Sequence, residues 1–501
     1  MTKLVLVYPN QRWLKEDNVT TWDLDPRTLC SLAAMVQGIV DVEIIDCQVK
    51  NYSIKEFQDQ VKLHSPNYIG ISLLTSEYAE IMDMAADAIK EVDQSIIVIA
   101  GGVHVTTQPN QVMENVNIDY ACFGEGEYLI KDLMTHLAEG GPLPLTGLIY
   151  REKKRLVIQP RAVVDDITKL PWPNYDLVDY QSYLNSVPRH GANRFPELPG
   201  MYLIVSRGCP VGCSFCQVEI ISGAKIRMRD ANDILDEIEY LINRYGLKSL
   251  VFLDDNLFLM RKRAKRLLEG MIERKLNIRW QAAAFAIFAM DDEMIDLMAA
   301  AGCTSVNCAI ESGSQRVLEE IVHKPIKDLN EIPILINKIK SRGINVLANF
   351  IIGMPGETWD EIRETIYFAE NCNADYVKFF IAVPLLGTKM TDMAIEMDLL
   401  DIKSDSLKVD WRTSHITSTE WSSDDVSSLR VYEWDRINFQ PNRIEKVAEI
   451  WGLSVEEMQV VRRKTRDSLQ KTRAGEPESR DPLVQTAGGS LQSGSTQVAA
   501  E

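Results

Sequence analysis

The sequence predicts an α/β protein that consists of two successive sheet-and-helix domains and a helical extension at the carboxyl end. Two observations predict this architecture. Short apolar runs alternate with amphipathic helical patterns over about residues 1–140 and again over about 196–400, which is typical of parallel strands joined by crossover helices. The chain also has 501 residues, enough for about three folded units of roughly 150 residues each.

The first domain, predicted at 1–140, contains strand-like runs that alternate with helical stretches. Each helical stretch lies between two strands, so we expect a doubly wound sheet whose ligand site lies outside the carboxyl ends of its strands. The predicted strands are Leu4–Tyr8, Val42–Ile45, Tyr68–Leu74, Ile96–Ala100 and Tyr120–Gly124. The predicted helices are about 27–39, 54–64, 77–91 and 126–138.

The next 55 or so residues, about 141–195, lose this alternation and are rich in proline, so we predict a linker that crosses the surface. A second alternation then begins and continues to about residue 400. Its βα units predict a partial (β/α)6 barrel over 196–400, with active residues on loops at the carboxyl edge. The predicted strands are 202–206, 249–254, 279–285, 304–310, 344–352 and 375–383.

The end of the chain is predicted to be helical over 401–470, as an extension that closes the barrel cavity or packs beneath it. Residues 471–501 lack an apolar face, so we predict a disordered tail. The formal net charge of -18 would repel a polyanion, which excludes nucleic acid as a substrate. The longest apolar runs reach about half of the roughly 20 residues that a bilayer span needs, so we expect a cytoplasmic protein with no membrane partner.

Three of the nine cysteines, Cys209, Cys213 and Cys216, stand together directly after the first predicted strand of the second domain. Thiolates at this close spacing are typical metal ligands. Structural zinc usually takes four protein ligands, and no fourth Cys or His lies nearby in the sequence. On an iron-sulfur cubane, three thiolates leave one iron open for a small molecule. Zinc and free thiols remain as alternatives, and Cys303, Cys308 and Cys372 are predicted to be buried.

The Cys-x3-Cys-x2-Cys spacing in the first βα loop resembles the cluster motif of radical S-adenosylmethionine (SAM) enzymes, and the resemblance covers about 200–400. It implies a [4Fe-4S] cluster whose open iron chelates SAM, and one-electron cleavage of SAM to a 5′-deoxyadenosyl radical. It also implies that SAM is bound at the ends of successive strands, and that two arginines after the cluster loop bind the methionine carboxylate or an anionic substrate. The residues that match are Asp254, Asp255, Asn256, Glu311, Gly353, Pro355, Gly356, Arg227 and Arg229.

Each of these positions also has a purely structural interpretation. Acidic residues at strand ends often cap the following helix, a Gly-Met-Pro-Gly run is often only a turn, and two arginines can form a solvated pair. Their joint placement at successive strand ends favours the SAM site over these interpretations.

The first domain lacks a Gly-x-Gly-x-x-Gly turn after its first strand, which disfavours a dinucleotide. It resembles instead the Rossmann-like cobalamin-binding domain that precedes the barrel in one subgroup of radical SAM enzymes. Small residues would keep open a slot for the nucleotide tail of the cofactor, although a degenerate domain that binds nothing is the alternative. Gln48 replaces the axial histidine of the cobalamin mutases, which weakens a mutase interpretation. The implied contacts are Asp46, Gln48, Ser72, Leu74, Gly101, Gly102, His104, Gly124, Glu125 and Gly126.

Together these resemblances imply a cobalamin-dependent radical SAM methyltransferase. It would move a methyl group from SAM through methylcobalamin to an unactivated carbon of a small molecule. The barrel is most similar to the hydroxyethylphosphonate methylases of fosfomycin biosynthesis, which implies a secondary metabolite and a role in antibiotic biosynthesis. The alternatives are a radical cyclase or oxidative rearrangement enzyme without net methyl transfer, and a cobalamin and iron-sulfur sensor without turnover.

Two further sites are expected on weaker signals. Pro384, Gly387 and Thr388 follow the sixth predicted barrel strand and would line a substrate pocket. The implied electron donor is a flavodoxin or ferredoxin, and the basic run over 261–266 is its candidate docking surface because both proteins would be acidic overall.

Overall fold

The computed structural model describes residues 2–14, 24–186, 195–400, 411 and 414–474. Within those residues, the strands form a seven-stranded sheet, a six-stranded sheet and a two-stranded ribbon. No helix in these ranges combines the length and the apolar character that a bilayer crossing requires.

The first sheet has the strand order β2-β1-β3-β4-β5-β6-β7, and its first five strands are parallel. Alternate residues of its strands enter two different cores, with Val5 and Val7 on one face and Leu4 and Leu6 on the other. The strands are β1 (Lys3–Tyr8), β2 (Asp41–Asp46), β3 (Tyr68–Leu73), β4 (Ile97–Gly102), β5 (Tyr120–Cys122), β6 (Leu148–Glu152) and β7 (Arg155–Ile158). Its helices are Arg27–Met35, Cys47–Lys50, Ile54–His64, Ala79–Val92, Val103–Thr107, Pro109–Val112 and Gly126–Glu139. The doubly wound prediction is therefore confirmed.

The antiparallel pair β6 and β7 was not predicted, because it lies inside the segment 141–195 that we interpreted as a linker. The two strands extend the first sheet beyond β5, and Leu148 and Ile149 are fully buried. The prolines that suggested a linker flank the hairpin, at Pro144 and Pro160, and so do not interrupt its hydrogen bonding.

The second sheet has the strand order β15-β14-β13-β12-β11-β8, and all its strands are parallel. Strands β8 and β15 form the two edges, so the barrel is open, as the partial (β/α)6 prediction requires. The strands are β8 (Gly200–Leu203), β11 (Ser249–Phe252), β12 (Arg279–Phe285), β13 (Cys303–Glu311), β14 (Asn345–Ile352) and β15 (Tyr376–Ile381). The ribbon pairs β9 (Ser206–Arg207) with β10 (Arg227–Met228). The helices of this region are Val218–Ile221, Ala231–Tyr245, Arg261–Glu273, Asp292–Ala300, Glu331–Ser341, Trp359–Asn371 and Lys389–Glu396.

The carboxyl-terminal helices Ser423–Asn438, Ile444–Trp451 and Val455–Ala474 pack beneath the barrel. The Asn438 side chain accepts a hydrogen bond from Val377 N (2.9 Å) and donates one to Val377 O (2.8 Å). The Asn438 side chain thus replaces the backbone of a further strand at the edge of β15. Leu347 and Tyr376 share a core with residues of these helices. The helices therefore pack beneath the barrel, and the first of them also reaches the carboxyl edge, where Val426 lies against Gly353.

The last helix continues to Ala474, so the predicted boundary at 470 is slightly early. The predicted disordered tail otherwise lies outside the described residues.

Glu237 joins the two sheet regions through a buried ion network. Its fully buried carboxylate accepts hydrogen bonds from Arg27 (3.0 Å), Arg229 and Tyr175. Burial acts to raise the pKa of Glu237, but the two guanidinium groups hold that pKa below its ordinary value. The network therefore needs the ionised carboxylate to satisfy two buried cations.

Replacing Glu237 should consequently destabilise the protein. The variant Glu237→Gln leaves the guanidinium groups of Arg27 and Arg229 undercompensated, and we expect a loss of about 3 kcal/mol in the free energy of unfolding. Urea unfolding followed by circular dichroism measures this loss. The control is Glu239→Gln on the same helix, because Glu239 is half exposed and pairs with Arg274 at the surface. That control should cost about 1 kcal/mol or less, and equal losses in the two variants would contradict the prediction.

Candidate active site

The three clustered cysteines lie on the loop between β9 and β10, which we call the cluster loop (residues 208–223). Cys209, Cys213 and Cys216 are partly exposed, whereas the other six cysteines are buried, as predicted for Cys303, Cys308 and Cys372. The three thiols are therefore the ones that an incoming metal could reach.

The barrel holds the cluster loop from several strand ends. Gly208 N donates to Asp255 Oδ2 after β11 (2.8 Å), and Ser214 N donates to Val322 O after β13 (3.0 Å). After β15, Met390 N donates to Ser214 O (2.9 Å), and Leu386 O accepts from the Gln217 side chain (2.9 Å). Hydrogen bonds to three segments of the barrel thus hold the cluster loop in place.

The thiol set suits a cluster better than a single ion. Among the described residues, no three His, Cys, Asp or Glu side chains are grouped so that one ion could bind them all. In a cubane each cysteine binds a different iron atom, so its three thiols need not converge on one point. Burial raises the pKa of the Cys213 thiol to about 12, and the Lys324 ammonium acts in the opposite direction.

Asp254 lies just past β11, and its two carboxylate oxygens have different surroundings. Oδ1 accepts hydrogen bonds from Val205 N (3.0 Å), Ser206 N and the Ser206 hydroxyl (2.6 Å). Oδ2 is buried and has no partner among the described residues, and the same is true of Asn256 Oδ1. Burial raises the pKa of Asp254 to about 7. Two buried acceptors therefore stay open at the strand end where the resemblance places the methionine ammonium.

Glu357 likewise has one oxygen bonded to the backbone and one without a partner in the described residues. No role was predicted for it from the sequence. Its Oε2 accepts from Gly353 N (2.7 Å) and Met354 N (2.9 Å), while Oε1 is buried with no partner in the described part of the chain. Burial raises the pKa of Glu357 to about 8. The signal was present in the Gly-Met-Pro-Gly-Glu run, where a carboxylate directly follows the turn that it caps. Gly353 and Gly356 both have positive φ angles, of 81° and 75°, which this turn requires.

Glu311 ends β13 beside the cluster loop. Its carboxylate pairs with Lys324 at 2.8 Å, and both side chains are buried. The φ angle of Glu311 is 77°, which is uncommon for a residue with a side chain and frequent at functional sites. This turn directs Glu311 and Lys324 toward the cysteines, since both charges influence the pKa of Cys213.

Arg227 and Arg229 do not take the role that the resemblance implied. Arg227 forms a bidentate pair with Glu125 (2.6 and 3.0 Å) and also donates to the carbonyls of Val164 and Ser222. Arg229 donates to Asp233 and Glu237. A guanidinium whose fork is already occupied is a poor ligand for a second carboxylate, so we assign both residues to holding the domains together.

Pro384 and Thr388 are buried, and Thr388 caps the helix Lys389–Glu396 through Thr391. A side chain added at Gly387 would meet Ile220 of the cluster loop at 2.8 Å. The turn over 384–388 therefore supports the cluster loop, and the expectation that Pro384, Gly387 and Thr388 line a substrate pocket stays a prediction.

A cavity of about 250 Å³ lies at the carboxyl ends of β3, β4 and β5 of the first sheet. Its walls are mostly apolar or small. Seven of the residues implied by the resemblance line it, namely Ser72, Leu74, Gly101, Gly102, Gly124, Glu125 and Gly126. We call this cavity the slot.

Gly102 shows why the slot needs glycine. Its φ angle is 104°, and an added Cβ would lie 2.1 Å from the carbonyl oxygen of Leu73. Strand β4 can approach β3 this closely only without a side chain at that position.

The other three implied cobalamin residues lie outside the slot. Asp46 caps the short helix after β2 and accepts from Tyr183 Oη (2.9 Å), and Gln48 accepts from Gln11 N (2.8 Å). His104 is buried with its Nδ1 3.3 Å from Ser76 Oγ. Burial lowers the pKa of His104 to about 4, so its imidazole is neutral near pH 7.

The slot and the cluster loop share a wall. Arg207, Ile221 and Ser222, which flank the three cysteines, line the slot together with the glycines of the first sheet. Arg207 also pairs with Glu125 (3.2 Å) and Glu127. The two candidate cofactor sites therefore lie side by side.

Comparison with known proteins agrees with this arrangement. Residues 203–369 match the Radical SAM superfamily, and residues 19–134 match the B12 binding domain. An uncharacterised methyltransferase of Pyrococcus horikoshii is 31% identical over 415 residues, which are 82% of this chain and 86% of that protein. The chain belongs to the cobalamin-dependent radical SAM methyltransferase family.

Two further comparisons extend this result. The cytidylyl-2-hydroxyethylphosphonate methyltransferase of Streptomyces wedmorensis is 26% identical, over 77% of each chain. The solved structure of the cobalamin-dependent SAM radical enzyme OxsB with aqua-cobalamin has a TM-score of 0.69 at 16% identity, and the match covers 97% of this chain and 75% of that one. The methyltransferase uses a [4Fe-4S] cluster, SAM and cobalamin.

A side chain at Gly102 should abolish cobalamin binding by the methyltransferase. In Gly102→Ala the added Cβ collides with the Leu73 backbone, and the backbone strain alone is of order 1–3 kcal/mol, so β3 and β4 must separate and deform the slot. Spectrophotometric titration of the protein with hydroxocobalamin measures the effect.

The matched control is Gly140→Ala, which has a φ angle of 76° and no atom within 4 Å of the added Cβ. This control should cost about 1 kcal/mol of stability and bind cobalamin normally. Normal binding by Gly102→Ala would show that the cofactor does not use the slot.

Proposed function

We propose that the enzyme methylates an unactivated carbon of a small molecule held between the slot and the cluster loop. The single observation that carries this proposal is the shared wall, because Arg207, Ile221 and Ser222 belong to the slot and flank the cysteines. A methyl carrier and a site for hydrogen abstraction must both reach one substrate carbon. The name of the Streptomyces wedmorensis relative supports a small-molecule substrate.

We propose the following roles for the residues of this chain. Cys209, Cys213 and Cys216 hold the cluster, the slot residues hold the cobalamin tail, and the open acceptors of Asp254, Asn256 and Glu357 bind the polar groups of SAM. When bound, the cluster supplies an electron to SAM and cobalamin supplies the methyl-transfer chemistry.

The protein itself positions the substrate and the cofactors and excludes water from the space between them. Glu125 is held between Arg207 and Arg227, and its side chain is 9% exposed. This contact closes the junction between the slot and the ribbon β9–β10. Exclusion of water matters because a substrate radical would otherwise be quenched by side reactions. We also propose that the enzyme works in the cytoplasm, which the sequence predicted.

The proposed reaction predicts a labelled product. We would reconstitute the protein anaerobically with iron, sulfide and cobalamin and incubate it with trideuteromethyl SAM and a metabolite extract. We expect a metabolite that carries the labelled methyl group, with equal amounts of 5′-deoxyadenosine and S-adenosylhomocysteine by mass spectrometry. Deoxyadenosine without S-adenosylhomocysteine would favour the cyclase alternative. Neither product, despite full cofactor loading, would contradict the proposed function.

The electron donor is proposed to be an acidic flavodoxin or ferredoxin that docks over the outside of the cluster loop. The basic run over 261–266 is a weaker candidate, because Arg261, Lys265 and Arg266 are paired with Asp291, Glu293 and Glu273. Pro210 and Val211 of the cluster loop form part of a shallow surface depression whose rim includes Glu319. Pro210 and Val211 lie between Cys209 and Cys213 in the sequence, so this surface adjoins the cysteines of the cluster loop.

Reversal of the charge at Glu319 should therefore speed reduction. We expect Glu319→Arg to raise the flavodoxin-supported rate severalfold at low salt, because it removes a repulsive charge from the approach of an acidic partner. The dithionite-supported rate should stay constant. Glu449→Arg, at an exposed position of the carboxyl-terminal helices, serves as the control. A flavodoxin-supported rate that is the same in both variants would place the donor elsewhere.

A further inference from the structure

Strands β14 and β15 each have one face toward the helices and one toward the inside of the barrel. Ala348, Phe350 and Phe379 belong to the core that the strands share with the helices. Asn349 and Lys378 alternate with these residues and are register partners on adjacent strands. Both side chains therefore lie on the inner face of the barrel.

Lys378 has no partner there. No hydrogen bond or ion pair reaches its ammonium from the described part of the chain, although the residue is only partly exposed, whereas the two buried lysines, Lys90 and Lys324, are satisfied. Lys90 bonds to Asp119 (2.9 Å) and to the carbonyl of Ile96 (2.7 Å), and Lys324 pairs with Glu311. Burial lowers the pKa of Lys378 to about 8. A cation that is partly removed from water and has no partner is costly, and a ligand anion would offset that cost.

The surroundings of Lys378 on this inner face resemble a binding site. Asn349 Oδ1 is buried and has no partner in the described ranges, and its neighbour on β13 is the small Ala309. Phe380 lies two positions beyond Lys378 on the same face of β15 and is 43% exposed. Unpaired polar groups beside uncovered apolar side chains are typical of a ligand site.

The depth of Lys378 in the barrel suits a small molecule. Tyr376, two residues before it, is covered by the carboxyl-terminal helices, which form the floor. The end of β15 at Ile381 lies three residues beyond Lys378, or about 10 Å at the usual rise of a strand. The cluster loop contacts the segment that follows this end. A small substrate could therefore reach from Lys378 to the edge where the cofactors lie.

We infer that Lys378 binds an anionic oxygen of the substrate, from a carboxylate, phosphate or phosphonate group, and that Asn349 accepts a hydrogen bond from a hydroxyl of the same molecule. This inference rests on the proposed function and names the substrate class as small organic anions. Lys378 acts as a specificity-determining residue, since its ammonium holds the substrate with the reacting carbon toward the carboxyl edge.

The first test separates the metabolite extract by anion exchange and assays the retained and unretained fractions with trideuteromethyl SAM and dithionite. We expect the labelled product from the retained fraction. Lys378→Met should lower kcat/KM roughly 10- to 100-fold, as expected for loss of a hydrogen bond to a charged group. Lys378→Arg should recover part of that loss. Both Lys378 variants should match the wild type in cluster content, in cobalamin content and in substrate-free formation of 5′-deoxyadenosine. The control Lys131→Met alters an exposed lysine and should match the wild type in every property.

A labelled product from the unretained fraction alone, or a Lys378→Met variant as active as the wild type, would overturn the inference and leave the proposed function standing. If no fraction yields a labelled product, the proposed function has failed. A second measurement then tests anion binding at Lys378 independently of turnover. Carbamylation of Lys378 by cyanate is followed by peptide mass spectrometry in inorganic phosphate, acetate or chloride at equal ionic strength. We expect phosphate or acetate to slow modification of Lys378 severalfold but not that of Lys131. Equal rates in the three salts would overturn the inference.

Discussion

The ion pairs of Glu125 and Glu127 determine where the two cofactor sites lie relative to each other. Glu125 leads into the helix that follows β5 of the first sheet, and it binds Arg207 and Arg227 on the two strands of the ribbon. Glu127 binds Arg207 from the same helix. The ribbon carries the cluster loop, so these pairs fix the cysteines against the slot. Buried ion pairs often add little net stability because desolvation offsets their attraction. Here they favour one docking of the domains, because the bidentate pair of Arg227 with Glu125 requires a specific geometry.

The carboxylates at the strand ends use one oxygen for the backbone and leave the other available. Asp254 and Glu357 each anchor the backbone through one oxygen and leave the second buried and open. A carboxylate at a strand end can therefore anchor the backbone and bind a ligand at the same time. The anchoring bonds fix the direction of the second oxygen, which removes much of the entropic cost of binding a ligand. This arrangement suits a site that must hold SAM in one orientation.

The sequence predicted the elements well because the two sheets have clear apolar periodicity, and the cysteine spacing located the cluster loop. It failed where the partner of a side chain is remote. Arg227 lies 102 positions from Glu125, and no local pattern shows that its guanidinium is already occupied. The turn over 384–388 supports the cluster loop through Gly387 and Ile220, which are likewise distant in sequence. Lys378 was missed because a single lysine in an apolar strand has no local signature, and only the register shows which face it occupies.

The roles proposed above separate chemistry from recognition along the strands of the barrel. The residues proposed to hold the cluster and SAM follow the strand ends, where loops converge and can be fixed by carboxylates such as Asp254 and Glu357. Asn349 and Lys378 lie within β14 and β15, where a side chain can change without moving a loop. Substitution at these interior positions would alter the substrate and leave the cofactor sites intact. A fold organised in this way can serve different substrates with the same reaction.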